Sequence, residues 1–482
     1  MQKKLIIIIF ILTITSILGV FYVGKKAIQS RTGDTVYDKI AKKIPDDLRE
    51  KIKEKFFKND YLKQQIYLKD KLIKELIDKE NKKNQIIYKN YDKIYFNKIF
   101  SKTEVVNEEK FKFINMQTFF LSNPKNDYAI ASGYLDIYKD YLIVVSGDGI
   151  IFRIKLKNLQ DIKENLVDDF FGEIIDSNFK EINKNNQIYE RSYHGIKDVL
   201  IHKEKILISY TKEIRKNCYN TGILIGNLDD KKKIQFQEID YSSECAHKDT
   251  MDVSHSGGRM VSFSDNEIIF TSGDYFQEHK VQDINSIFGK IIKINLDDSS
   301  YEIISLGHRN PQGLEYVKEK SILISTEHGP IGGDEINIIN LNKNLSERNY
   351  GWPIASYGIG EQINPSNIID NRKLYKSHEN FVEPILQFTP SIGISEISKF
   401  FDENNNKYLV SSLGTKLIEG DMSIHYLEIN NSYDKILKNF VIPVDERIRD
   451  IVYSKLYNYY ILFLESDRYF KGGPSLSILY KE

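Results

Sequence analysis

One β-rich unit recurs six times between about residue 110 and the C-terminus, and this repetition limits the fold more than any other feature. Each copy has an apolar strand, a tight polar turn, a second apolar strand and a third strand. The second strands begin 52 to 86 residues apart, at Leu142, Ile206, Ile268, Ile322, Tyr408 and Tyr460. Because no copy can bury its own faces, such repeats are typical of a β-propeller. We therefore predict an all-β fold, a six-bladed β-propeller over residues 106–482, whose last blade is completed by a strand near Lys112–Leu121.

The repeat also predicts which residues share one face of the propeller. In an antiparallel hairpin, the start of the first strand and the end of the second lie at the same end. These positions carry most of the unusual polar chemistry of the chain: His194, His255, Arg259, Asp274, Arg309, Asn310, His328, Ser391, Lys416, Arg447 and Arg449. We expect the functional site on this face.

The charge of the chain is balanced in total but unevenly distributed. The 68 basic and 68 acidic side chains give a formal net charge of zero, which argues against a dedicated nucleic-acid-binding protein. Residues 25–100 carry 21 basic and 12 acidic side chains, whereas residues 101–482 carry 45 basic and 56 acidic ones. A basic N-terminal region therefore precedes an acidic body, and we expect no nucleic-acid partner.

Residues 1–24 have the composition of a transmembrane signal anchor. After Lys3 and Lys4, the 19 residues from Leu5 to Val23 contain no charge, close to the roughly 20 residues that cross a bilayer as a helix. The absence of an Ala-x-Ala pattern and of a lipobox cysteine favours an uncleaved anchor over a cleaved signal peptide. The flanking lysines do not decide the orientation of this helix.

Residues 25–105 are predicted to form a Lys-rich helical stem. Apolar residues recur there at helical spacing, and Asp46 and Asp47 follow Pro45 in the manner of a helix start. Two interpretations remain open. The segment is either a solvated amphipathic stem or a basic helix lying against anionic lipid headgroups.

Three neighbouring motifs carry the most specific signal on the predicted functional face. They are GHRNPQG from Gly307, STEHGPIGGDEINIINL from Ser325, and NYGWPIASYG ending at Gly358. Further motifs add to this pattern: HSGGR from His255, SGD ending at Asp274, Thr389-Pro-Ser391 and ERIRD from Glu446. Over residues 190–482 the chain resembles the soluble-type glucose/sorbosone dehydrogenases, six-bladed propellers that bind pyrroloquinoline quinone (PQQ) with calcium.

The resemblance implies an anionic quinone cofactor. PQQ carries carboxylates, which arginine side chains bind through paired, charge-assisted hydrogen bonds. Arg447 and Arg449 alternate on a predicted strand and so point the same way, which suits two anionic groups. The cofactor-binding residues that the resemblance implies are Arg309, Asn310, Ser391, Lys416, Arg447 and Arg449.

The same resemblance implies calcium bound by backbone carbonyls. In the family the Gly-Pro after the histidine supplies these oxygens, here those of Gly329 and Pro330, and calcium accepts carbonyl oxygens as ligands. Glu335 and Tyr350 are candidates for a second, structural calcium site. Alternatively, Asp334 and Glu335 only cap the strand that they begin.

His255 resembles the family's general base. Its implied role is to take the proton of the sugar C1 hydroxyl while hydride moves to the quinone carbonyl, which calcium polarises. An imidazole titrates near the required pH, and Asp274 is expected to orient it. Arg309 is the third expected catalytic residue. The alternative is that His255 is structural, as a lone histidine in a β protein usually is.

Several positions depart from the family. His194 stands where a substrate-placing glutamine is common, Ser254 replaces an acidic residue that can precede the base, and Thr389 replaces an aromatic lid residue. Lys416 lies in a loop whose length differs from that of the family. The first three positions lie on the substrate side, so they bear on the identity of the sugar more than on the cofactor. His194 is the candidate substrate contact.

Cys218 and Cys245 are the only cysteines, and both lie in the second repeat just before the His255 loop. In an exported protein two such cysteines predict a disulfide, whereas in a cytosolic protein they would be free thiols. The implied cofactor is used outside the cytoplasm. We therefore expect a disulfide and a single-pass protein of the inner (cytoplasmic) membrane, with its propeller facing the periplasm or cell exterior.

These inferences predict a membrane-anchored quinoprotein dehydrogenase that oxidises an aldose sugar or related alcohol at C1 by hydride transfer to PQQ with Ca²⁺. Its electrons would pass to a membrane quinone or a cytochrome. Two alternatives remain: a cofactor-free propeller that binds glycans or proteins, and a Ca²⁺-dependent lactonase-type hydrolase. Arg447 and Arg449 discriminate between them, because neither alternative needs an arginine pair aimed at a polycarboxylate.

Overall fold

Antiparallel β-sheets make up most of the described chain. The computed structural model describes residues 93–118, 132–184, 195–228, 233–330, 332–358, 378–400, 406–414, 420–465 and 475–482, all within the contact unit Lys74–Glu482. Their strands pair antiparallel, apart from one short parallel pair. The prediction of an all-β fold is confirmed for these residues.

One sheet contains both the first and the last strands of the described chain. Its ten strands are β1 (Lys93–Val106), β2 (Glu109–Thr118), β3 (Gly133–Tyr138), β4 (Tyr141–Ser146), β5 (Ile151–Lys155), β6 (Asp169–Ser177), β10 (Lys233–Ile234), β25 (Arg447–Ser454), β26 (Tyr459–Glu465) and β27 (Ser475–Lys481). The order across the sheet is β25-β26-β27-β2-β1-β6-β5-β4-β3, with β10 beside β6. The strand predicted near Lys112 is β2, and it pairs with the last strand, β27.

The other four sheets are built from strands close together in the chain. The five-stranded sheet contains β7 (Ile196–His202), β8 (Lys205–Arg215), β9 (Cys218–Asn227), β11 (Gln237–Ile239) and β12 (Ala246–His247). The next contains β13 (Gly257–Ser262), β14 (Glu267–Ser272), β15 (Lys290–Asn295) and β16 (Tyr301–Leu306). The last two contain β17 (Asn310–Val317), β18 (Ile322–His328), β19 (Asp334–Asn340) and β20 (Leu386–Phe388), and then β21 (Ile394–Lys399), β22 (Lys407–Ser412), β23 (Ser423–Ile429) and β24 (Ile436–Pro443).

Helices in the described ranges are short and lie between strands. The α-helices are α1 (Leu156–Lys163), α2 (Phe179–Ile182) and α3 (Glu278–Val281), and the 3₁₀ helices are Val253–His255, Lys318–Lys320 and Leu345–Glu347. The first of these 3₁₀ helices bears on function, because it carries His255.

The second strand of each repeat is apolar along its whole length because it is buried on both faces. In β4, Leu142 and Val144 pack into a core shared with β26, whereas Ile143 and Val145 pack into the core shared with β8. A strand between two sheets needs apolar side chains on both faces, so it shows a continuous apolar run rather than alternation. These runs are therefore a direct sign of stacked sheets.

Arg259 lies where the first strands of the sheets meet. These strands contact one another in the closed order β3-β7-β13-β17-β21-β25-β3. The Arg259 side chain, which belongs to β13, reaches each of the others, at the Tyr134 ring, Asp198, the Gln312 carbonyl, Glu396 and Asp450. The residue is only 4% exposed. We expected it on the functional face; instead it joins the strands at the centre of the fold.

The prediction of a helical stem is wrong for its C-terminal residues. Residues 93–105 form most of β1, which pairs with β2 and β6. Ile94 and Phe96 are buried while Lys93 is exposed, so the burial follows the period of two that a strand requires. The remaining stem residues, 25–92, lie outside the described residues.

The predicted localisation as a single-pass inner-membrane protein is also corrected. Within residues 93–482, as far as the structure describes them, no helix combines the length and the apolar character needed to span a bilayer. The predicted anchor, residues 1–24, lies outside the described residues.

Candidate active site

Three loops at the same end of neighbouring strands bring together His255, Asp274 and Arg309. His255 ends the 3₁₀ helix before β13, Asp274 follows β14, and Arg309 precedes β17. Gly273 permits this approach, because a side chain at that position would collide with the His255 carbonyl. The three residues are separated by up to 54 positions in sequence but form direct contacts.

The hydrogen bonds of His255 define its protonation state. Nδ1 lies 3.0 Å from Asp274 Oδ1, and Nε2 lies 3.0 Å from Nη2 of Arg309. A guanidinium can only donate, so Nε2 is the acceptor and the ring proton is on Nδ1. In this arrangement His255 is a neutral imidazole, and the Nε2 lone pair that a base needs accepts the hydrogen bond from Arg309.

Asp274 is a fully buried carboxylate that accepts three hydrogen bonds. Its Oδ1 accepts from the His255 ring and from the Phe276 backbone N–H at 2.9 Å, and its Oδ2 accepts from Trp352 Nε1 at 2.7 Å. These donors hold the carboxylate against His255. Asp274 is therefore placed to orient the imidazole, as the sequence predicts.

The loop after Asp274 is in an unusual conformation. Tyr275 and Phe276 both have positive φ angles, 48° and 61°, which non-glycine residues rarely adopt. The Tyr275 hydroxyl forms a hydrogen bond of 2.7 Å with Thr221, which holds Tyr275 in this conformation. The centre of the Phe276 ring lies 4.2 Å from the centre of the His255 ring. Strained backbone of this kind clusters at functional sites. Phe276 thus packs directly against the candidate base.

Arg447 and Arg449 converge on one buried carboxylate, as their predicted shared orientation implies. Arg447 Nη2 lies 3.0 Å and Arg449 Nε 2.6 Å from opposite oxygens of Glu465. Burial alone would raise the pKa of Glu465, but Arg449 and Arg447 outweigh it and lower this pKa to about 2. Two cations thus share one anion, which leaves an excess positive charge at this side of the site.

A chain of amides connects this arginine pair to the His255 loop. Arg449 donates to the Gln312 carbonyl oxygen Oε1 at 3.1 Å, and Gln312 donates to Asn310 Oδ1 at 2.9 Å. Asn310 in turn donates from Nδ2 to the Ser254 backbone carbonyl at 3.0 Å. Asn310 therefore supports the loop that carries His255 as well as lying near Arg309.

The departure at Ser254 has a structural explanation. Asp252 caps the 3₁₀ helix, and its Oδ1 accepts from both the backbone N–H and the hydroxyl of Ser254, at 2.8 and 2.6 Å. Such caps satisfy helix-terminal donors. Asp252 thus fixes Ser254 and the start of the 3₁₀ helix that carries His255.

The loop with Gly329 and Pro330 is tightly folded and held by Ser391 and Asp334. The Ser391 hydroxyl oxygen accepts from the backbone N–H groups of Gly332 and Gly333, both at 3.0 Å. Asp334 accepts from Gly329 N–H at 3.3 Å. A side chain at Gly329 would collide with the Gly333 carbonyl. Ser391 therefore contacts the predicted calcium-binding loop, and Thr389 also bonds to it, through the Gly332 carbonyl at 2.8 Å.

Glu335 and Tyr350 have other partners than a shared metal. Glu335 Oε1 lies 3.0 Å from His378 Nε2, and the Tyr350 hydroxyl donates to the Ile338 carbonyl at 2.6 Å. Across the described ranges no group of three or more His, Cys, Asp or Glu side chains is arranged to hold a metal ion. Glu335 is thus paired with His378, and the structural calcium at Glu335 and Tyr350 stays a prediction.

His328 is a second neutral imidazole beside His255. Burial, together with Arg309 and Arg449, lowers the pKa of His328 to about 4, although Asp334 acts in the opposite direction. Arg309 also donates to the His328 backbone carbonyl at 3.2 Å. Of the other predicted site residues, His194 and Lys416 lie outside the described residues.

Cys218 and Cys245 form a disulfide next to this site, with their Cα atoms 5.4 Å apart. β12, which follows Cys245, pairs with the start of β9. Glu244 anchors the same segment by accepting from Lys280 at 2.8 Å and Ser286 at 3.0 Å. The disulfide thus fixes the segment that leads into the His255 loop.

Sequence reasoning missed Trp352, Phe276, Gln312 and Glu465. Trp352 is the only tryptophan of the chain and stands in the NYGWP motif, so its type and context were a usable signal. Gln312 also stands in a quoted motif, GHRNPQG, and Glu465 ends the second strand of the last repeat, which hairpin geometry places beside Arg447. Phe276 had no such signal.

Comparison with known proteins gives a consistent result. Residues 155–468 match the family model described as Glucose / Sorbosone dehydrogenase. The chain is 36% identical over 119 residues to aldose sugar dehydrogenase YliI of Escherichia coli, a match covering 22% of this chain and 31% of that protein. It is 35% identical over 134 residues to quinoprotein glucose dehydrogenase B of Acinetobacter calcoaceticus, covering 21% of this chain and 27% of that protein. The chain spans half or less of the length of the curated relatives it matches.

A solved structure shares the fold. Aldose sugar dehydrogenase from Streptomyces coelicolor, in its PQQ-bound form, superposes with a TM-score of 0.52 at 15% identity, covering 80% of this chain and 99% of that chain. At this identity the likeness shows the fold alone.

Proposed function

This chain belongs to the glucose/sorbosone dehydrogenase family, and we propose that it is a PQQ-dependent dehydrogenase that oxidises an aldose sugar or related alcohol at C1. One observation carries the proposal. His255 is a neutral imidazole whose Nδ1–H is held by buried Asp274 and whose basic Nε2 faces Arg309. A cofactor-free binding propeller has no need of this arrangement.

We also infer that the fold is a six-bladed propeller. The ten-stranded sheet divides at β1 into two four-stranded halves, β25-β26-β27-β2 and β6-β5-β4-β3. With the four other sheets, this division yields six units whose first strands contact in a closed order. The same division supports the domain boundary near residue 106, except that β1 belongs with the sheets.

The arginine side of the site fits an anionic cofactor. Nε of Arg447 is buried and, within the described structure, has no hydrogen-bond partner. Arg447 and Arg449 share Glu465, so an additional carboxylate would neutralise the remaining positive charge. Arg447, Arg449 and Arg309 are therefore the residues that would hold PQQ, with Asn310 beside them and Lys416 as a further candidate outside the described residues.

The loop at Gly329 fits a cation bound by carbonyls. Only glycine allows the close approach to Gly333, and Ser391 fixes the loop from the other side. The carbonyls of Gly329 and Pro330 would hold calcium there. The Pro330 carbonyl already accepts from the Gly333 backbone N–H at 3.1 Å and from the Ser391 hydroxyl at 3.4 Å, and it would have to exchange at least one of these bonds for the cation. Glu335 and Tyr350 remain the candidates for a structural calcium, and the Glu335 carboxylate would then share its oxygens between the cation, His378 and Asn337.

When bound, PQQ supplies the acceptor for the C1 hydride and calcium polarises its carbonyl. The residues of this chain handle the proton. The substrate hydroxyl replaces Arg309 at His255 Nε2, and Nε2 then takes the hydroxyl proton. Asp274 stabilises the resulting imidazolium by accepting from Nδ1–H, as a buried carboxylate does beside a catalytic histidine.

Arg309 remains next to the oxygen that loses its proton. Its positive charge would stabilise the negative charge that develops on this oxygen as the proton leaves. His194 remains the candidate substrate contact, and we propose that the electrons leave to an acceptor of the quinone or cytochrome class. A lactonase-type hydrolase would use the calcium loop but would leave Arg447 and Arg449 without a function.

The test is reconstitution of the full chain with PQQ and Ca²⁺, followed by dye reduction against a panel of aldoses and a panel of lactones. We expect PQQ- and Ca²⁺-dependent reduction with aldoses and no lactone hydrolysis. Lactone hydrolysis without PQQ would support the hydrolase instead. Binding of a sugar with no turnover would support the cofactor-free propeller.

A further inference from the structure

Trp352 closes a ring of contacts around the candidate base. Its indole Nε1 donates to Asp274 Oδ2 at 2.7 Å, and Asp274 Oδ1 contacts His255 Nδ1. His255 Nε2 accepts from Arg309, whose guanidinium lies 5.5 Å from the centre of the Trp352 ring. Four side chains thus form a closed cycle in which each touches the next.

We propose that Trp352 is a positioning residue for the reaction. Its N–H fixes the Asp274 carboxylate and its ring supports the Arg309 guanidinium, so that one side chain sets both partners of His255. The catalytic part of this inference rests on the proposed function. The hydrogen bond itself does not.

The indole is held rigidly enough for this role. Trp352 is 4% exposed, its backbone N–H donates to Gly307 at 3.0 Å, and its carbonyl accepts from Gln282 at 2.7 Å. Gln282 is in turn bonded to Asn349, which donates to it at 2.7 Å. The backbone that carries the indole is therefore fixed, and the burial of the side chain leaves the indole little room to turn away from Asp274.

The two functions of Trp352 use different parts of the side chain. The N–H stabilises the carboxylate oxygen that does not face His255, which prevents the carboxylate from rotating. The ring face attracts the guanidinium through a cation–π contact. Phenylalanine keeps an aromatic ring but has no N–H, so Trp352→Phe separates the two functions.

The chain offers a direct spectroscopic probe, because Trp352 is its only tryptophan. In the unloaded, ¹⁵N-labelled full chain, a ¹H–¹⁵N spectrum contains one indole signal. We expect this signal to lie downfield, as a charge-assisted hydrogen bond to a carboxylate requires, and to move upfield in Asp274→Asn. Asp334→Asn is the matched control, since Asp334 is a buried carboxylate on the same face that bonds to Gly329 and Ile394. We expect it to leave the signal in place.

The second experiment measures the kinetics of the enzyme reconstituted with PQQ and Ca²⁺. Trp352→Phe should lower kcat about tenfold, equivalent to about 1.4 kcal/mol, while KM for the sugar and the affinity for PQQ stay within about twofold. A purely structural role would change the affinities or the stability instead. Unchanged kcat in Trp352→Phe would overturn the positioning role.

The outcomes separate this inference from the proposed function. An indole signal that does not respond to Asp274→Asn would refute the hydrogen bond, whatever the enzyme does. Should Asp274→Asn fail to fold, solvent exchange of the indole hydrogen in the wild-type chain decides the same point. Slow exchange supports the bond and rapid exchange refutes it. Absence of turnover in the wild-type chain with an indole signal that responds as expected would reject the proposed function and the catalytic role, and leave the contact established.

Discussion

Arg309 donates a hydrogen bond of 3.0 Å to Nε2 of His255, so the atom that would receive the substrate proton is already engaged by a cation. A substrate hydroxyl must replace the guanidinium at this atom before its proton can be taken. Arg309 is then adjacent to the oxygen on which negative charge develops, where a fixed cation is most effective. The pair couples substrate entry to the exposure of the base.

Replacing the base should abolish most turnover without loss of the cofactor. We expect His255→Asn to lower kcat by about 10²–10⁴-fold, since that is the usual contribution of general base catalysis. PQQ affinity, measured by calorimetric titration, should stay within about twofold, because Arg447 and Arg449 do not depend on His255 and Arg309 keeps its bond to the His328 carbonyl. His247→Asn, at a half-exposed histidine of β12, is the control and should keep wild-type activity. Wild-type kcat in His255→Asn would contradict the assignment.

The arginine pair should control cofactor affinity. Arg447→Met removes hydrogen bonds to a charged group, and we expect PQQ to bind about 10–100-fold more weakly. Arg153→Met is a matched control, because Arg153 pairs with Glu173 on the surface of another part of the fold. Calorimetric titration of each variant with PQQ in Ca²⁺ is the measurement. Equal affinities in the two variants would show that PQQ does not bind at Arg447.

Glu465 should make stability depend on pH in the acidic range. The folded-state pKa of about 2 lies below the ordinary value of 4.5, so the stabilisation is present above pH 4.5 and is lost as the pH falls towards 2. The shift corresponds to a loss on the order of 3 kcal/mol in the free energy of unfolding. Denaturant titrations should show that the free energy of unfolding falls less between pH 5 and pH 3 in Glu465→Gln than in the wild-type chain. The same difference in both proteins would rule out this contribution.

Arg259 should be essential for stability. Its removal leaves Asp198, Glu396 and Asp450 together at the centre without their cation, and burial already raises the pKa of Asp198 and of Glu396. Breaking a buried ion pair costs about 3–5 kcal/mol, so we expect Arg259→Met to lower the free energy of unfolding by at least this amount. Arg259→Lys keeps the charge but loses the forked set of donors, so its free energy of unfolding should lie between those of the wild-type chain and Arg259→Met. An unchanged unfolding midpoint in Arg259→Met would contradict the central role.

The repeat, and the order of the strands within it, predicted much of the fold and part of the site. The apolar second strands such as β4 showed the stacking of sheets, and the hairpin geometry grouped His255, Asp274 and Arg309 before any contact was known. The same rule placed Arg259 on the functional face, because strand phase cannot tell a residue at the end of a strand from one that points to the axis. β1 was assigned to the stem because the repeats are recognisable only from about residue 110, although Ile94 and Phe96 are spaced as in a strand.

The missing parts of the site depend on contacts between distant segments. Glu465 ends the second strand of the last repeat and Arg447 begins its first strand, so hairpin geometry places the two together. That one carboxylate neutralises both arginines is seen only in the side-chain contacts. Trp352 contacts Asp274 across 78 positions. Contacts of this kind follow from how the sheets pack, and a single sequence does not contain them.

We propose that hydride leaves C1 of a sugar at this site while His255 takes the hydroxyl proton. The most direct measurement is single-turnover reduction of bound PQQ, followed by absorbance, with glucose and with glucose deuterated at C1. We expect a primary isotope effect on cofactor reduction in the wild-type chain, and loss of that reduction in His255→Asn with PQQ still bound. Equal rates with both sugars at a chemistry-limited step, or unchanged reduction in His255→Asn, would contradict it.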